Sequence, residues 1–361
     1  MRRPVSSSLL YLCPVRFRPS TLLVTGGAGF IGSNFVRYAL EADPSVRVVT
    51  LDALTYAGSR RNVPTDPRHT FVHGDISDGE LVGTLLREHE VNGVVHFAAE
   101  SHVDRSIAGP AAFVQTNVVG TFSLLEAVRK VGRRSIRFHH VSTDEVYGDL
   151  GLEDPPFTEA TPYDPSSPYS ATKAASDHLV RAHARTYGLD ITITNCTNNY
   201  GPFHFPEKLI PLTILRALAG QPIPIYGDGQ QVRDWLYVRD HCAAIWLVLT
   251  RGASGATYNV GGGNQPTNLE LVHRLCAHLD LRAPEGAPHV RHVAFVRDRP
   301  GHDRRYAMDT TAIRRDLGWA PVETLDTGLA KTVEWVMKNR EWMRAIAEEK
   351  DLDSWITAQY S

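Results

Sequence analysis

From residue 21 to about residue 187 the apolar positions fall into two alternating patterns. Short unbroken apolar runs read as strands; longer stretches repeat every three to four residues and read as helices. Thr21-Leu22-Leu23-Val24-Thr25 is the first run, followed by a helical pattern from Ser33 to Glu41. A second run, Val46 to Leu51, ends at Asp52, and a third, Thr70 to His73, leads into Gly74-Asp75-Ile76. A helix is predicted over 80–90, then a strand Gly93-Val94-Val95-His96-Phe97-Ala98-Ala99, a helix from Phe113 to Val131, and a strand from Ile136 to His140. Pro168 opens the last clear helix, which runs to about Tyr187. Strands alternating with helices at this spacing predict an α/β fold, a Rossmann-type doubly wound parallel sheet. Beyond about Asn198 the rhythm weakens and Pro and Gly cluster. The predicted organisation is therefore a disordered extension over 1–20, a dinucleotide-binding domain over 21–197, and a smaller C-terminal α/β substrate lobe over 198–361.

The turn after the first run is Gly26-Gly27-Ala28-Gly29-Phe30-Ile31-Gly32. Glycines at 26, 29 and 32 suit a tight turn, a close backbone approach to a pyrophosphate, and close packing of helix on strand. The helix N-terminus then offers free N–H groups to the phosphates. Asp52 stands 20 positions after Gly32, where an acid accepts hydrogen bonds from ribose hydroxyls and favours NAD over NADP. Asp75 and Ile76 are placed to flank the adenine, and the small residues Ala98 and Ala99 let the backbone approach the cofactor. In such sheets ligands bind at the carboxyl ends of the strands, where Thr143, Asp144 and Glu145 of Val-Ser-Thr-Asp-Glu-Val-Tyr-Gly fall. Taken alone, that polar stretch would be a solvated loop.

Composition narrows the partners. Apolar residues make up 42% and charged residues 22% of 361, ordinary for a globular protein, and the length suits a large domain plus a second lobe. A formal net charge of -2 gives no reason to expect nucleic acid. No apolar run in the sequence approaches the roughly 18 residues of a membrane span, so no membrane partner is expected. Cys13, Cys196, Cys242 and Cys276 are far apart and read as reduced thiols of a cytoplasmic protein. Despite 16 histidines, no metal site is expected. Only six of the 38 basic residues are Lys, so a Lys inside a motif is informative.

One such lysine is Lys173, four residues after Tyr169 in Tyr-Ser-Ala-Thr-Lys and on the same helix face. An ammonium beside a phenol favours phenolate, so the pair predicts a Tyr drawn from about 10 toward working pH, a base for an alcohol proton.

Eight stretches together carry a resemblance: TGGAGFIGS, LDALTYAG, HFAAESHVDRS, VSTDEVYG, YSATK, NNYGPFHFPEKLIPL, YGDGQQVRDWLYV and DRPGHDRRY. On them, from about Thr21 to the C-terminus, the chain resembles the extended short-chain dehydrogenases/reductases, and within them the nucleotide-sugar 4,6-dehydratases. The resemblance implies an NAD-dependent lyase that oxidises C4 of a hexose, removes water across C5–C6, and returns the hydride to C6. It implies a dTDP-linked glucose, with a UDP-linked glucose as the sister reading and 4-epimerisation after that. In that family's pattern Tyr169, tuned by Lys173, takes the 4-hydroxyl proton beside Thr143, Glu145 takes the C5 proton, and Asp144 protonates the departing hydroxyl. An epimerase has the Tyr-Lys pair but no work for Asp144 and Glu145.

Cofactor contacts implied by the resemblance are Phe30, Ile31, Asp52, Asp75, Ile76, Ala98, Ala99, Thr116, Tyr169, Lys173 and Asn199. Substrate contacts are Ser101, Thr143, Asn198, Lys208, Leu209, Pro224, Tyr226, Arg233, Asn268, Arg299 and His302. Cations among these suit a diphosphate, Arg bidentately. Ala53 departs from the family, which often has Lys there. By the same analogy the chain is a homodimer through the Phe113–Val131 and Tyr169–Tyr187 helices, with Val114, Val118, Leu179 and Val180 expected on the outward faces.

Overall fold

The computed structural model describes residues 16–131, 136–298, 301–352 and 354. Its strands are β1 (Thr21–Thr25), β2 (Arg47–Asp52), β3 (His69–His73), β4 (Gly93–His96), β5 (Arg137–Thr143), β6 (Ile191–Cys196), β7 (Asn198–Tyr200), β8 (Ile223–Tyr226), β9 (Trp235–Tyr237), β10 (Thr257–Val260) and β11 (Val293–Val296). Seven of them form one parallel sheet in the order β10-β6-β5-β4-β1-β2-β3. The order reverses between β1 and β4, so a crevice opens at their carboxyl ends.

Both faces of this sheet are covered, which explains why its strands read as unbroken apolar runs. Leu22 and Val24 pack with Phe35 and Val36 of the Phe30–Ala42 helix and with Ile245 and Leu249 of the Val238–Arg251 helix. Leu23 lies on the opposite face with Leu85, Leu124, Leu125 and Val180, from the Gly79–Glu88, Thr121–Val131 and Pro168–Tyr187 helices. The Pro168–Tyr187 helix has the bounds its sequence predicts. Ser167 and Ser170 form a capping box, Pro168 occupies its first turn, and Gly188 ends it at φ +71°.

Several expectations change. The first helix begins at Phe30 rather than Ser33, because Gly29 ends the turn in an extended conformation. β4 stops at His96; Phe97 only donates its N–H to Thr25 across the sheet end. Val180, expected outward, is fully buried in the core, and Leu179 packs against that core. The helix from Pro110 to Val131 contains a wide π turn over Val114–Gly120. By length and composition it is apolar enough to cross a membrane, which the linear pattern does not predict, but 44% of its apolar window is buried within this fold.

The chain does not divide cleanly at 197. The Val238–Arg251 helix and β10 return to the large sheet, β10 pairing with β6. Residues 16–20 also differ from the disordered extension predicted to Ser20. Arg16 and Phe17 donate backbone N–H groups to Thr250, and Ser20 to Asn92. The second lobe sets the pairs β7–β9 and β8–β11 beside helices Leu209–Leu218, Asn268–Arg282 and Leu325–Lys338, around Tyr200, Ile214, Leu275 and Leu329. A last helix, Arg340–Glu349, runs back to the first domain.

Candidate active site

The crevice between the lobes is a cavity of about 450 Å³. Every predicted site residue lines it except Arg299, which lies outside the described residues.

At the dinucleotide end, Gly26 has φ +70°, and a Cβ there would sit 2.6 Å from the Ala98 nitrogen. A Cβ on Gly32 would sit 2.3 Å from the Gly26 carbonyl oxygen. Only glycine allows strand, turn and helix to close this tightly, and the first turn of the Phe30–Ala42 helix has no side-chain cap. Asp52 is nearly buried and accepts N–H bonds from Ala28 and Leu54, each 2.8 Å. Burial raises its pKa and those bonds oppose the rise. Phe30 stacks on His204 at 4.4 Å, joining the two lobes beside Ile31. Asp75 is exposed at the rim, with Ile76 buried behind it near Gly120 of the π turn. That turn brings Thr116 to the cavity while Asn117 bonds both backbone groups of Glu100 and the Thr172 hydroxyl. Asn199 is held by His241 at 2.9 Å and donates to the Thr197 carbonyl. These residues fit an NAD-sized dinucleotide: a cradle that a Cβ would fill, free helix N–H groups, and a carboxylate at the end of β2.

The residues predicted to react sit at the end of β5. Thr143 donates to Asp144 at 3.2 Å and accepts the Glu145 N–H at 3.3 Å, closing a short turn that turns both carboxylates toward the cavity. Asp144 is 2% exposed, and its Oδ2 has no hydrogen-bond partner among the described residues. Burial first, then repulsion from Glu145, hold its pKa well above the carboxylate range. Asp144 is therefore biased toward its neutral, proton-carrying form.

Tyr169 and Lys173 share the cavity wall, but their pairing corrects an expectation. Instead of falling toward working pH, the phenol of Tyr169 is held well above its ordinary value, by burial first and then by Glu145 and Cys196; a hydrogen bond with Thr143 opposes this. Lys173 directs its ammonium to the Val141 carbonyl at 2.9 Å, and burial lowers its pKa. Burial is the largest influence on both groups.

The residues predicted to hold substrate come from both lobes. Arg233 is buried, donates to the Val232 and Asp303 carbonyls, and stacks over Tyr306 at 4.2 Å. Tyr226 meets His302 edge-on at 6.2 Å, and His302 pairs with Asp298 at 2.6 Å. Ser101 bonds Tyr56 at 2.9 Å; Asn198, Lys208, Leu209, Pro224 and Asn268 complete this end. Sequence reasoning missed a bridge between the lobes: Glu207 is buried and pairs with His102 at 3.1 Å and Arg105 at 3.0 Å. Its signal was present, since all three lie inside HFAAESHVDRS and NNYGPFHFPEKLIPL, but a pair 102 residues apart shows only once folded. Tyr56 and Tyr306 were missed as well. Among the described residues no group of three or more His, Cys, Asp or Glu side chains is placed to hold a metal ion.

Comparison with known proteins places this geometry. A family model described as GDP-mannose 4,6 dehydratase matches residues 23–332. The chain is 57% identical to a dTDP-glucose 4,6-dehydratase of Xanthomonas campestris pv. campestris (strain B100), over 91% of this chain and 96% of that protein. It superposes with a TM-score of 0.84 on the DesIV dTDP-glucose 4,6-dehydratase of Streptomyces venezuelae, solved with NAD and TYD (dTDP) bound, at 50% identity over 90% of this chain and 99% of that one. A UDP-glucose 4-epimerase of Thermotoga maritima, solved with UDP-glucose, gives 0.78 at 30% identity, covering 88% of this chain and 99% of that one.

Proposed function

The chain belongs to the nucleotide-sugar 4,6-dehydratase family, and on that premise we propose that it is a dTDP-glucose 4,6-dehydratase, an NAD-dependent hydro-lyase. The observation that carries this reading is the pairing of Asp144, buried and biased toward its protonated form, with Glu145, in the same cavity as Tyr169, Lys173 and the glycine cradle.

The C5 proton of a hexose is not acidic until C4 becomes a ketone. NAD, which the glycine cradle and Asp52 would hold, would supply that oxidation by accepting hydride from C4 and later returning it to C6. Tyr169 takes the 4-hydroxyl proton, with Thr143 and Lys173 positioned to steady the oxygen. Glu145 then removes the C5 proton, and Asp144 gives its proton to the C6 oxygen, which leaves as water. A C5–C6 double bond conjugated to the ketone results. With the hydride back at C6, Glu145 would return a proton to C5, Tyr169 would release to solvent the proton it took from the 4-hydroxyl, and Asp144 would recover one from solvent. One acid and one base at one sugar need opposite protonation states, which different burial provides. Arg233, Lys208 and His302 hold the diphosphate, Arg299 is assigned there by the family pattern, and Tyr226, Pro224 and Asn268 line the nucleoside end. Remote binding energy of this kind orients the reacting hexose.

The functional unit in this reading is a homodimer. Val114, Val119, Phe122 and Tyr187 are exposed on the two helices named above, and Phe122 and Tyr187 both pack on His183, so the apolar surface is continuous between the helices. A second copy is the occupant that fits, and light scattering that returns a monomer mass defeats this part. Buried, free Cys196, Cys242 and Cys276 support a cytoplasmic setting.

Purified protein incubated with dTDP-glucose, without added NAD, is expected to release product lighter by one water, with UDP-glucose left largely unchanged. If neither sugar loses water even with NAD supplied, the assignment falls.

A further inference from the structure

Behind the reacting centre lies a buried carboxylate that the mechanism above does not use. Tyr169, Lys173 and Asp177 occupy successive turns of one helix, so their side chains share a face, and all three are buried. Asp177 is fully enclosed; its Oδ2 accepts from the Ser142 hydroxyl and the Tyr163 hydroxyl, each at 2.8 Å, and its Oδ1 faces His140 Nε2 at 3.0 Å. Ser142 comes from β5, one residue before Thr143, so the carboxylate ties the helix to the strand that ends in the reacting groups.

A buried carboxylate with hydroxyl and imidazole donors is an anion, and an anion in a dry interior needs a cation nearby. His140 does not supply one: burial first, then Lys173, push its pKa to about 4, so it faces the carboxylate as a neutral ring. Arg181 is one hydroxyl removed, donating at 2.8 Å to Tyr163 rather than to the carboxylate. Lys173, one turn away on the same face, is the ammonium that fits: the two charges attract through the dry interior from beyond direct ion-pair contact, and each steadies the other's charged form. Its other neighbours are the Val141 carbonyl and, from β6, Cys196, whose thiol burial pushes up to about 12; Tyr169 lines the same cavity one helical turn before it.

We propose that Asp177 is the counter-ion that keeps Lys173 charged, and is thereby a positioning residue acting on Tyr169 through Lys173. The inference rests on the dehydratase reading for its catalytic consequence, but the charge coupling itself does not. Asp177 also repels a phenolate directly, yet it is two helical turns from Tyr169 and one from Lys173, so its effect through Lys173 dominates. Without the carboxylate, Lys173 loses its proton at lower pH, and the phenol is harder to ionise.

Three measurements test this. In D177N the acid limb of the kcat–pH profile is expected to move up by about one unit with KM unchanged, because Asp177 lies behind the cavity wall. The ultraviolet phenolate titration of Tyr169, taken as the difference from Y169F, is expected to move the same way. Y163F removes a hydrogen bond without removing charge, and leaves both in place even if it melts earlier. A folded D177N with parental limb and titration overturns the proposal; so does a Y163F shift as large as that of D177N, which would make the role one of packing. If D177N does not fold, K173M carries the test through melting curves. Losing the ammonium strands the carboxylate, so the Tm deficit of K173M is greatest near neutral pH and shrinks as pH falls through the carboxylate range. A deficit independent of pH overturns the pairing. Wild-type protein that leaves dTDP-glucose intact would sink the dehydratase reading instead, while the melting and phenolate data still judge the charge coupling.

Discussion

At the end of β5 the short turn buries Asp144 and leaves Glu145 half in the cavity, so two chemically similar side chains meet different surroundings. The neutral form of Asp144 is favoured in the folded protein, with a consequence for stability as well as catalysis. Its folded pKa lies above its unfolded value, so between those values the native state holds a proton that the unfolded chain has lost. Stability from this group is therefore present at low pH and declines as pH rises through that window. D144N removes the titration. It is expected to melt at or above the parent temperature near pH 7, with the advantage shrinking toward about pH 4. The same variant loses the acid for the departing hydroxyl, so kcat falls by about 10²- to 10⁴-fold. C4 oxidation still proceeds, and NADH absorbance should rise on adding dTDP-glucose and persist. A D144N protein that turns over normally would remove Asp144 from the reaction. One that melts well below the parent at neutral pH would show that its neutral carboxyl contributes stability.

The strand–turn–helix unit around Gly26 and Gly32 was legible in the sequence because its constraint is local. Each glycine faces backbone within the same turn or the neighbouring strand end, so spacing alone carries the information. In G32A the new methyl would meet the Gly26 carbonyl oxygen and the Gly27 Cα, neither of which can rotate away. G32A is expected to lose NAD, measured by titrating cofactor into stripped protein, and to lose about 1–3 kcal/mol of stability in urea. Tight NAD binding by G32A would mean the turn opens at little cost. Other elements were less legible for physical reasons. A helix lying on a sheet and a helix facing another subunit both show an apolar stripe, so Val180 looked like an outward residue until the β6 side of the core claimed it. The wide turn over Val114–Gly120 has no sequence signature of its own. It is visible only through what it positions, namely Thr116 at the cavity and Asn117 across to Glu100 and Thr172. The Tyr169–Lys173 spacing was read correctly as one face, but spacing carries no measure of burial, and burial decides the phenol's pKa.

Contacts across the whole molecule were the least legible, since they join segments hundreds of residues apart. The last helix returns to the loop that follows Asp52: Lys350 donates to the Leu54 and Thr55 carbonyls at 3.3 and 2.8 Å, Thr55 and Lys350 standing 295 positions apart in the chain. Ser59 bonds Glu349 at 3.1 Å, and Trp342 bonds Asn62 at 3.1 Å. Tyr56 and Ala57 of the same loop pack with Phe205, Ile346 and Leu352. Leu54 is itself in the left-handed region at φ +53°, a conformation an unrestrained loop would leave. The loop lines the cavity beside Asp52, so its stiffness bears on how well the adenosine end is enclosed. Lys350 also draws the Asp52 pKa down, supplying a positive charge to a loop where Ala53 stands in place of the lysine common in the family. A cofactor that gives back its hydride within each cycle has no need to leave, so enclosure serves the reaction. K350A is therefore expected to purify with less NAD and to lose the remainder faster on dialysis, with kcat recovering when NAD is added back. L352A, which thins the apolar contact without touching the carbonyls, should lower the melting temperature and leave retention closer to the parent. If K350A keeps its full complement of NAD through dialysis, the loop is held by the packing of Tyr56 on Phe205 and the terminal lysine is dispensable.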